Sequence, residues 1–319
     1  MVGRGSATKR RLAGSILVIG MIGACSSPSA PTSVAPGSSP APASGAATTA
    51  CTVPPGQSEA VTWTIDGMER AARIHAPATA TDRPSPIVIA LHGYGGFGLE
   101  LEQISDLSDA SDAHGWLVVY PEGTGSPQEW QYDPGAPAGH ARDIAFLRQL
   151  IADITKEGCG DAKRIVVTGI SQGGWLSDMV GCEMTDLVAA VVPVAARDFG
   201  WACAPSRAIP FTAISGVLDE VLPYEGGPVN APPPFTSVGS VDDWTADRAA
   251  SRGCAGASAD STASAHVSVR TWPGCDAPVT AYRVEDGGHS WPSGGGMQPV
   301  DRELSVTKVI ADLIAAIPD

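Results

Sequence analysis

Apolar and polar positions change periodicity along the chain, and the changes predict alternating strands and helices. Residues 61–75 alternate with a period of two around Asp66-Gly67, which is typical of an antiparallel hairpin. Six short apolar runs then predict strands buried in a parallel sheet. These runs are 87–91, 116–120, 165–168, 187–194, 211–214 and 279–284.

Helical periodicity appears between and after these runs. Ile144, Leu147 and Ile151 share one predicted helix face, and Val306 and Ile310 share another near the C-terminus. Strands that alternate with helices predict an α/β fold in which a mostly parallel central sheet carries helices on both faces. No internal linker interrupts the pattern, so we expect one domain over residues 51–319.

The first 50 residues follow a different pattern. Basic residues precede an apolar stretch at 12–22, which is too short to span a bilayer and is typical of a signal-peptide core. The stretch leads to Ala24-Cys25 and resembles a bacterial lipobox, which predicts a signal peptide over 1–24 and a lipid anchor on Cys25. An ordinary secretory signal with an incidental Cys25 is the alternative. Residues 26–50 contain five Pro and no charge, so 25–50 reads as an extended tether.

Composition narrows the function classes. The formal net charge is −14, which argues against nucleic acid as a partner because phosphate binding needs a basic face. The chain has no CxxC pair and no HExxH motif, so we expect no metal site. Six cysteines remain besides Cys25, and an even number in an exported chain suggests three disulfides.

One pentapeptide predicts a catalytic nucleophile. Gly169-Ile170-Ser171-Gln172-Gly173 matches G-x-S-x-G directly after a buried strand and before a helical segment. A strand, a tight turn and a helix with Ser at the apex form a nucleophile elbow. The flanking glycines leave room in that turn, and the amide of Gln172 would point at a developing oxyanion.

The partners of Ser171 should follow it in chain order. His289 lies in a loop beyond the last strand, where α/β sheets build active sites, whereas His266 lies within an alternating strand pattern. We therefore expect His289 to be the base. Asp219 follows the strand at 211–214 after a short turn and is the expected acid, with Glu220 and Asp198 as its rivals.

The loop at 92–96 is expected to supply a second oxyanion donor. We expect the amide of Tyr94 to be this donor, with Gly95 as its rival, and His92 to be structural. The same loop matches the dinucleotide-binding pattern G-x-G-x-x-G through Gly93, Gly95 and Gly98. We reject that interpretation because an exported chain meets no NAD pool and because the elbow, acid and His would be left unexplained.

Six motifs in this order resemble a known family. They are Leu91-His92-Gly93-Tyr94-Gly95-Gly96, Gly115-Trp116 with Tyr120-Pro121-Glu122-Gly123, Gly169-Ile170-Ser171-Gln172-Gly173-Gly174, Leu218-Asp219 with Leu222-Pro223-Tyr224, Trp244 with Arg252-Gly253-Cys254, and Gly287-Gly288-His289-Ser290-Trp291-Pro292. The chain resembles the polyhydroxybutyrate depolymerase-like and feruloyl esterase group of secreted serine esterases, including its actinobacterial lipoprotein branch.

The resemblance implies an α/β-hydrolase fold, ester hydrolysis without a cofactor, and a triad of Ser171, Asp219 and His289. Two departures stand out, because Ser215-Gly216-Val217 replaces the usual HGT and Gln172 replaces an Asn that often follows the Ser. The family has cysteines at both ends of an implied Cys254–Cys275 bond. We also expect Cys182–Cys203, which leaves Cys51–Cys159.

Aromatic residues near the motif loops bear on which ester the protein would bind. Trp130, Tyr224, Trp244 and Trp291 lie near the motif loops and are candidates for an aromatic substrate cleft. Feruloyl or acetyl esters of polysaccharide and short hydroxyalkanoate oligomers are the candidate substrates of a monomeric enzyme. A serine peptidase with the same triad and a non-catalytic lipid-anchored binding protein are the alternatives.

Overall fold

The computed structural model describes residues 50–65, 67–79, 83–131, 141–200, 202–229, 236–296 and 298–318. Residues 46–319 cluster as one compact unit. The predicted signal peptide, Cys25 and all but the last residue of the predicted tether lie outside the described residues. Among the described residues, no helix is both long enough and apolar enough to span a membrane.

Twelve strands and six α-helices occur within the described residues. The strands are β1 (Ser58–Ile65), β2 (Met68–His75), β3 (Ser85–Leu91), β4 (Leu117–Pro121), β5 (Gly160–Ile170), β6 (Ala190–Val194), β7 (Phe211–Gly216), β8 (Gly227–Pro228), β9 (Ser237–Val238), β10 (Ala259–Thr262), β11 (Val267–Thr271) and β12 (Val279–Val284). The helices are α1 (Gly98–Ser105), α2 (Leu107–His114), α3 (Ala141–Glu157), α4 (Gln172–Glu183), α5 (Val241–Ala250) and α6 (Val306–Ala316).

Ten of these strands form one sheet in the order β1-β2-β4-β3-β5-β6-β7-β12-β11-β10. Neighbouring strands from β4 to β12 in this order are parallel, and antiparallel strands complete both edges. The predicted hairpin forms β1 and β2, with Ser58 opposite His75 and Ile65 opposite Met68. The mostly parallel sheet predicted from the apolar runs is therefore confirmed.

Alternate residues of the central strands face two separate apolar layers. Ile87 and Ile89 of β3 pack into one layer with α3, α4 and α5, and Val88 and Ala90 pack into the other with α1, α2 and α6. Because both faces are covered, the central strands are apolar at almost every position rather than at every second one. Helices therefore cover both faces of the sheet, as predicted.

Several elements differ from the sequence pattern, for example β5, which begins at Gly160 rather than 165. Two of the differences have a clear physical reason. β6 begins at Ala190 rather than 187, because the Leu187 amide donates to the Met184 carbonyl in a turn that closes α4. Helices α1 and α2 were not predicted from periodicity. Each has eight residues, and three in each are buried, so the apolar signal is weak.

Three disulfides join the six cysteines in the expected pairs. They are Cys51–Cys159, Cys182–Cys203 and Cys254–Cys275. Cys159 directly precedes β5 and Ser171 directly follows it, so the first bond lies at the end of this strand opposite the elbow.

Replacing Cys254 and Cys275 together with Ser should lower the free energy of unfolding by about 3 kcal/mol, because the bond closes a short loop in the unfolded chain. Cys182 and Cys203 span the same sequence separation of 21 residues and make a matched control pair. We expect a similar stability loss in both double variants. Only the Cys254/Cys275 variant should also slow ester turnover, since Cys275 precedes the strand that leads to His289.

Urea unfolding, ester assays and non-reducing peptide mapping test this prediction. A peptide that links Cys254 to any other cysteine would contradict it, as would free thiols at both positions.

Candidate active site

Ser171 lies in a turn that has no space for a side chain at either glycine of the G-x-S-x-G motif. A Cβ on Gly169 would come within 2.5 Å of the Gly173 carbonyl, and a Cβ on Gly173 would come within 2.1 Å of the Leu91 carbonyl oxygen. Ser171 itself has φ 58° and ψ −120°, a conformation that costs a non-glycine residue about 1–3 kcal/mol. Its amide donates to the Val194 carbonyl at 3.0 Å, which ties the strained turn to β6.

Asp219 and His289 meet through a direct hydrogen bond. The Asp219 Oδ2 lies 2.8 Å from His289 Nδ1, and both side chains are buried. Asp219 Oδ1 accepts the amides of Val221 and Leu222 at 2.9 and 2.7 Å. One carboxylate oxygen thus orders its own loop and the other orients the imidazole. This bond leaves Nε2 of His289 available toward the cavity that it lines with Ser171.

The rival residues lie elsewhere. Asp198 pairs with Arg248 at 3.2 Å, and Glu220 is exposed. His266 is exposed and contacts Glu303 at 3.1 Å, and it does not line the cavity. Ser171, Asp219 and His289 are therefore the residues that the structure brings together.

The loop at 92–96 passes directly over Ser171. A Cβ on Gly93 would lie 3.3 Å from the Ser171 Cβ. The Gly95 amide donates to the Gln128 carbonyl at 2.7 Å, so this rival donor is already used. Within the described residues no such acceptor is found for the Tyr94 amide. The Gln172 amide begins helix α4 and has no partner within its helix. These two amides are the candidate oxyanion donors.

His92 supports this loop and does not act as a base in this geometry. Its Nδ1 contacts the Gly93 carbonyl at 2.7 Å, and its Nε2 accepts the Gly123 amide at 2.9 Å, which assigns the proton to Nδ1. Burial lowers the pKa of His92 from 6.5 to about 4, against the smaller opposing effect of the Gly93 bond. The ring is therefore neutral at physiological pH and serves as a structural link.

Trp130 connects the loop to the elbow. Its indole N–H donates to the His92 carbonyl at 2.7 Å. Its backbone amide donates to Gln172 Oε1 at 2.9 Å, and Gln172 Nε2 donates back to the Trp130 carbonyl at 3.0 Å. This pair of bonds gives a role to Gln172, which stands where the family often has Asn. Its side-chain oxygen and nitrogen are both hydrogen-bonded to the backbone of Trp130. Trp130 was a candidate substrate contact, but it is fully buried and acts as a support.

The other three aromatic candidates also lie in the core. Tyr224 is 5% exposed, Trp244 2% and Trp291 1%, and none of them lines the cavity. Trp244 donates its indole N–H to Asp178 at 3.0 Å, and Tyr224 packs against the Arg283 guanidinium. The predicted aromatic cleft of these residues is therefore wrong. Burial of Trp244 and Tyr224 is compatible with their polar groups, because the indole N–H bonds to Asp178 and the Tyr224 hydroxyl donates to Asp242 at 3.1 Å.

The cavity beside Ser171 has a volume of about 430 Å³. Two exposed aromatic side chains, Tyr94 and Phe97, stand at it, and Leu101, Ile104 and Ile170 supply aliphatic surface. Most of these residues belong to α1 or the loop before it, which periodicity did not predict. Tyr94 and Ile170 belong to motifs that the sequence had already singled out, whereas the signal for α1 was limited to the spacing of Leu101 and Ile104.

Arg197 is a further support that sequence reasoning missed. It is 1% exposed and donates to the Leu222 and Pro223 carbonyls, both at 3.2 Å. Burial lowers its pKa to about 10, and the charge of Asp219 opposes that shift. This buried guanidinium fixes the loop whose amides hold Asp219.

Comparisons with known proteins point to esterases. No family model matches the chain. Feruloyl esterase B of Piromyces equi is 31% identical over 55% of the chain, and the match spans 34% of that protein. The protein named "Putative esterase NocK" of Nocardia uniformis subsp. tsuyamanensis is 27% identical over 78% of the chain and 80% of its own length. The chain thus spans about a third of the feruloyl esterase and most of the second relative.

A solved structure establishes the fold. The acetyl xylan esterase from Aspergillus awamori aligns with a TM-score of 0.55 and 16% identity, covering 72% of this chain and 94% of that one. The fold is therefore the α/β-hydrolase fold that the motifs implied. The resemblance to esterases of the feruloyl esterase and polyhydroxybutyrate depolymerase-like group is confirmed.

Neutral His92 should make the stability of the protein depend on pH. Because its folded pKa of about 4 lies below the unfolded value of 6.5, its contribution is fully present above pH 6.5. This contribution to the free energy of unfolding, about 3 kcal/mol in total, is lost as the pH falls through 4. Urea unfolding at pH 7 and pH 4 should therefore show a smaller loss in His92→Gln than in the wild type. An equal loss in both proteins would contradict this assignment.

Proposed function

We propose that this protein is a serine esterase that hydrolyses carboxylic esters through an acyl-enzyme on Ser171. The observation that carries the proposal is the hydrogen bond between Asp219 and His289 beside a strained Ser171 that lines the same cavity. Relatives with esterase names support the same reaction class.

In the proposed mechanism, His289 Nε2 takes the proton of Ser171 as Oγ attacks the ester carbonyl. Asp219 holds the imidazole by its Nδ1–H and stabilises the imidazolium. The amides of Gln172 and Tyr94 bind the tetrahedral oxyanion, and each such donor contributes about 3–4 kcal/mol. The protonated His289 then gives its proton to the leaving alcohol. Water attacks the acyl-Ser171 in a second cycle of the same steps.

The substrate class is proposed from the cavity. Aromatic and aliphatic side chains make most of its surface, so it suits an uncharged acyl group. Among the lining residues of the described chain, Glu100 carries a carboxylate, and neither Lys nor Arg is present. A short hydroxyalkanoate oligomer ends in a carboxylate that Glu100 would repel. We therefore favour neutral acetyl or feruloyl esters of polysaccharide, in line with the names of the relatives.

Export and a lipid anchor complete the proposal. The domain organisation is a signal peptide over 1–24, a tether over 25–50 and a catalytic domain over 51–319. Three disulfides support an oxidising compartment, because such bonds persist mainly outside the cytoplasm. The anchor would be diacylglycerol on Cys25.

Ser171→Ala should lower kcat on p-nitrophenyl acyl esters by about four to six orders of magnitude, because the nucleophile is lost. The melting temperature should change little. His289→Ala should behave alike, whereas His266→Ala should keep full activity. Retention of more than a few per cent of turnover by Ser171→Ala would rule out the nucleophile, and hydrolysis of peptide amides would favour a peptidase.

Glu100→Gln should change charge selectivity. The substrates to compare are p-nitrophenyl butyrate and p-nitrophenyl hemisuccinate, which differ at the acyl end by a methyl against a carboxylate. We expect kcat/KM for the hemisuccinate to rise about three- to five-fold at low salt, because one like-charge repulsion is removed. The butyrate value should stay unchanged. The matched control is Glu69→Gln on the exposed part of β2, and an equal rise there would contradict a local effect.

Cys25→Ser should abolish lipidation of the full-length protein. Expressed in a bacterium that processes lipoproteins, the wild type should partition into detergent and the variant should not. Mass spectrometry that finds an unmodified Cys25 in the mature wild type would reduce the segment to a plain secretory signal.

A further inference from the structure

Two irregular loops carry the acid and the base of the proposed triad. The acid loop, residues 217–223, follows β7, and the base loop, residues 285–290, follows the neighbouring parallel strand β12. His289 comes directly after two glycines, so the strand alone does not restrict its backbone strongly. One backbone bond joins the two loops, from the Leu218 amide to the Gly287 carbonyl at 2.9 Å.

A single side-chain oxygen joins the two loops at the functional residues themselves. Gln298 Oε1 accepts the backbone amide of His289 at 2.9 Å and the backbone amide of Glu220, next to Asp219, at 3.0 Å. A carbonyl oxygen has two lone pairs, so it satisfies both donors at once. This one atom thus links the two loops in addition to the Leu218–Gly287 backbone bond and the Asp219–His289 hydrogen bond.

The segment that carries Gln298 is itself attached to the base loop. The Gly288 amide and the Ser290 hydroxyl both donate to the Pro299 carbonyl at 2.9 Å. A Cβ on Gly288 would lie 2.5 Å from the Gln298 Cβ, so the approach of Gln298 needs glycine at this position. The Pro299 bonds and the close packing against Gly288 therefore hold the Gln298 side chain in place, and its amide oxygen points at the two loop amides.

We infer that Gln298 is a positioning residue that holds the base loop against the acid loop and so keeps His289 aligned between Asp219 and Ser171. The inference rests on the proposed function and adds to it a residue outside the triad. An uncharged acceptor fits this role, because a carboxylate would accept both amides but would add a negative charge beside the imidazole.

Three substitutions test the inference. Gln298→Leu keeps the approximate shape and removes the acceptor, so kcat on p-nitrophenyl butyrate should fall about 10- to 100-fold with KM within two-fold, as expected from a misplaced base. Gln298→Glu keeps the acceptor and should retain most of the activity. Its acid limb of kcat/KM should move to higher pH, because the new charge favours the protonated imidazole. Gln149→Leu, on the exposed face of α3, is the matched control and should change nothing.

Proton NMR gives a readout besides activity, because the proton in the His289–Asp219 hydrogen bond should give a low-field signal. This signal should persist in Gln298→Glu and broaden or vanish in Gln298→Leu. A wild-type kcat in Gln298→Leu would overturn the inference. An unshifted pH profile in Gln298→Glu would also overturn it, and this second test decides the question if the Leu variant does not fold. An inactive wild type would instead refute the proposed function, and the proton signal would then still test the positioning.

Discussion

The close contact between the first turn of α4 and the end of β3 holds the proposed active site together. At Gly173 the backbone of α4 approaches the Leu91 carbonyl so closely that no Cβ fits. This approach forces the turn between Gly169 and Gly173 to be tight, which holds Ser171 in a left-handed conformation at its apex. It also brings the 92–96 loop over the hydroxyl, so one backbone contact assembles the proposed nucleophile and the proposed oxyanion donors.

The strain at Ser171 is maintained by a polar network rather than by apolar packing alone. Trp130 bonds both to the His92 carbonyl and to the Gln172 side chain, so the loop and the elbow share one support. His92 completes this network as a neutral ring, because its burial disfavours the charged imidazolium. The proposed oxyanion donors stabilise developing negative charge better than water does because they are already fixed before the reaction. A mobile 92–96 loop would lose this benefit.

A buried positive charge, Arg197, supports the loop that carries Asp219. Arg197 is enclosed and bonded to carbonyls of the acid loop, and its positive charge lies in the field of Asp219. The amides of Val221 and Leu222 hold Asp219 Oδ1, and Arg197 holds the loop that carries these residues. The orienting hydrogen bond to His289 thus depends on groups that never reach the cavity.

Sequence alone was enough to predict the order of the main strands and helices, the turn at Ser171, and Asp219 and His289 as the proposed acid and base, because these follow from local periodicity and ordered motifs. The three cysteine pairs followed from the family resemblance and from elimination. The sequence did not determine which aromatic residues face the cavity, and Trp130, Trp244 and Trp291 proved to be core residues. It gave no sign of Arg197, and its signal for the cavity wall on α1 was limited to the spacing of Leu101 and Ile104. Those features were decided by tertiary structure, because burial and hydrogen bonding depend on segments that are distant in the chain and carry no shared local pattern.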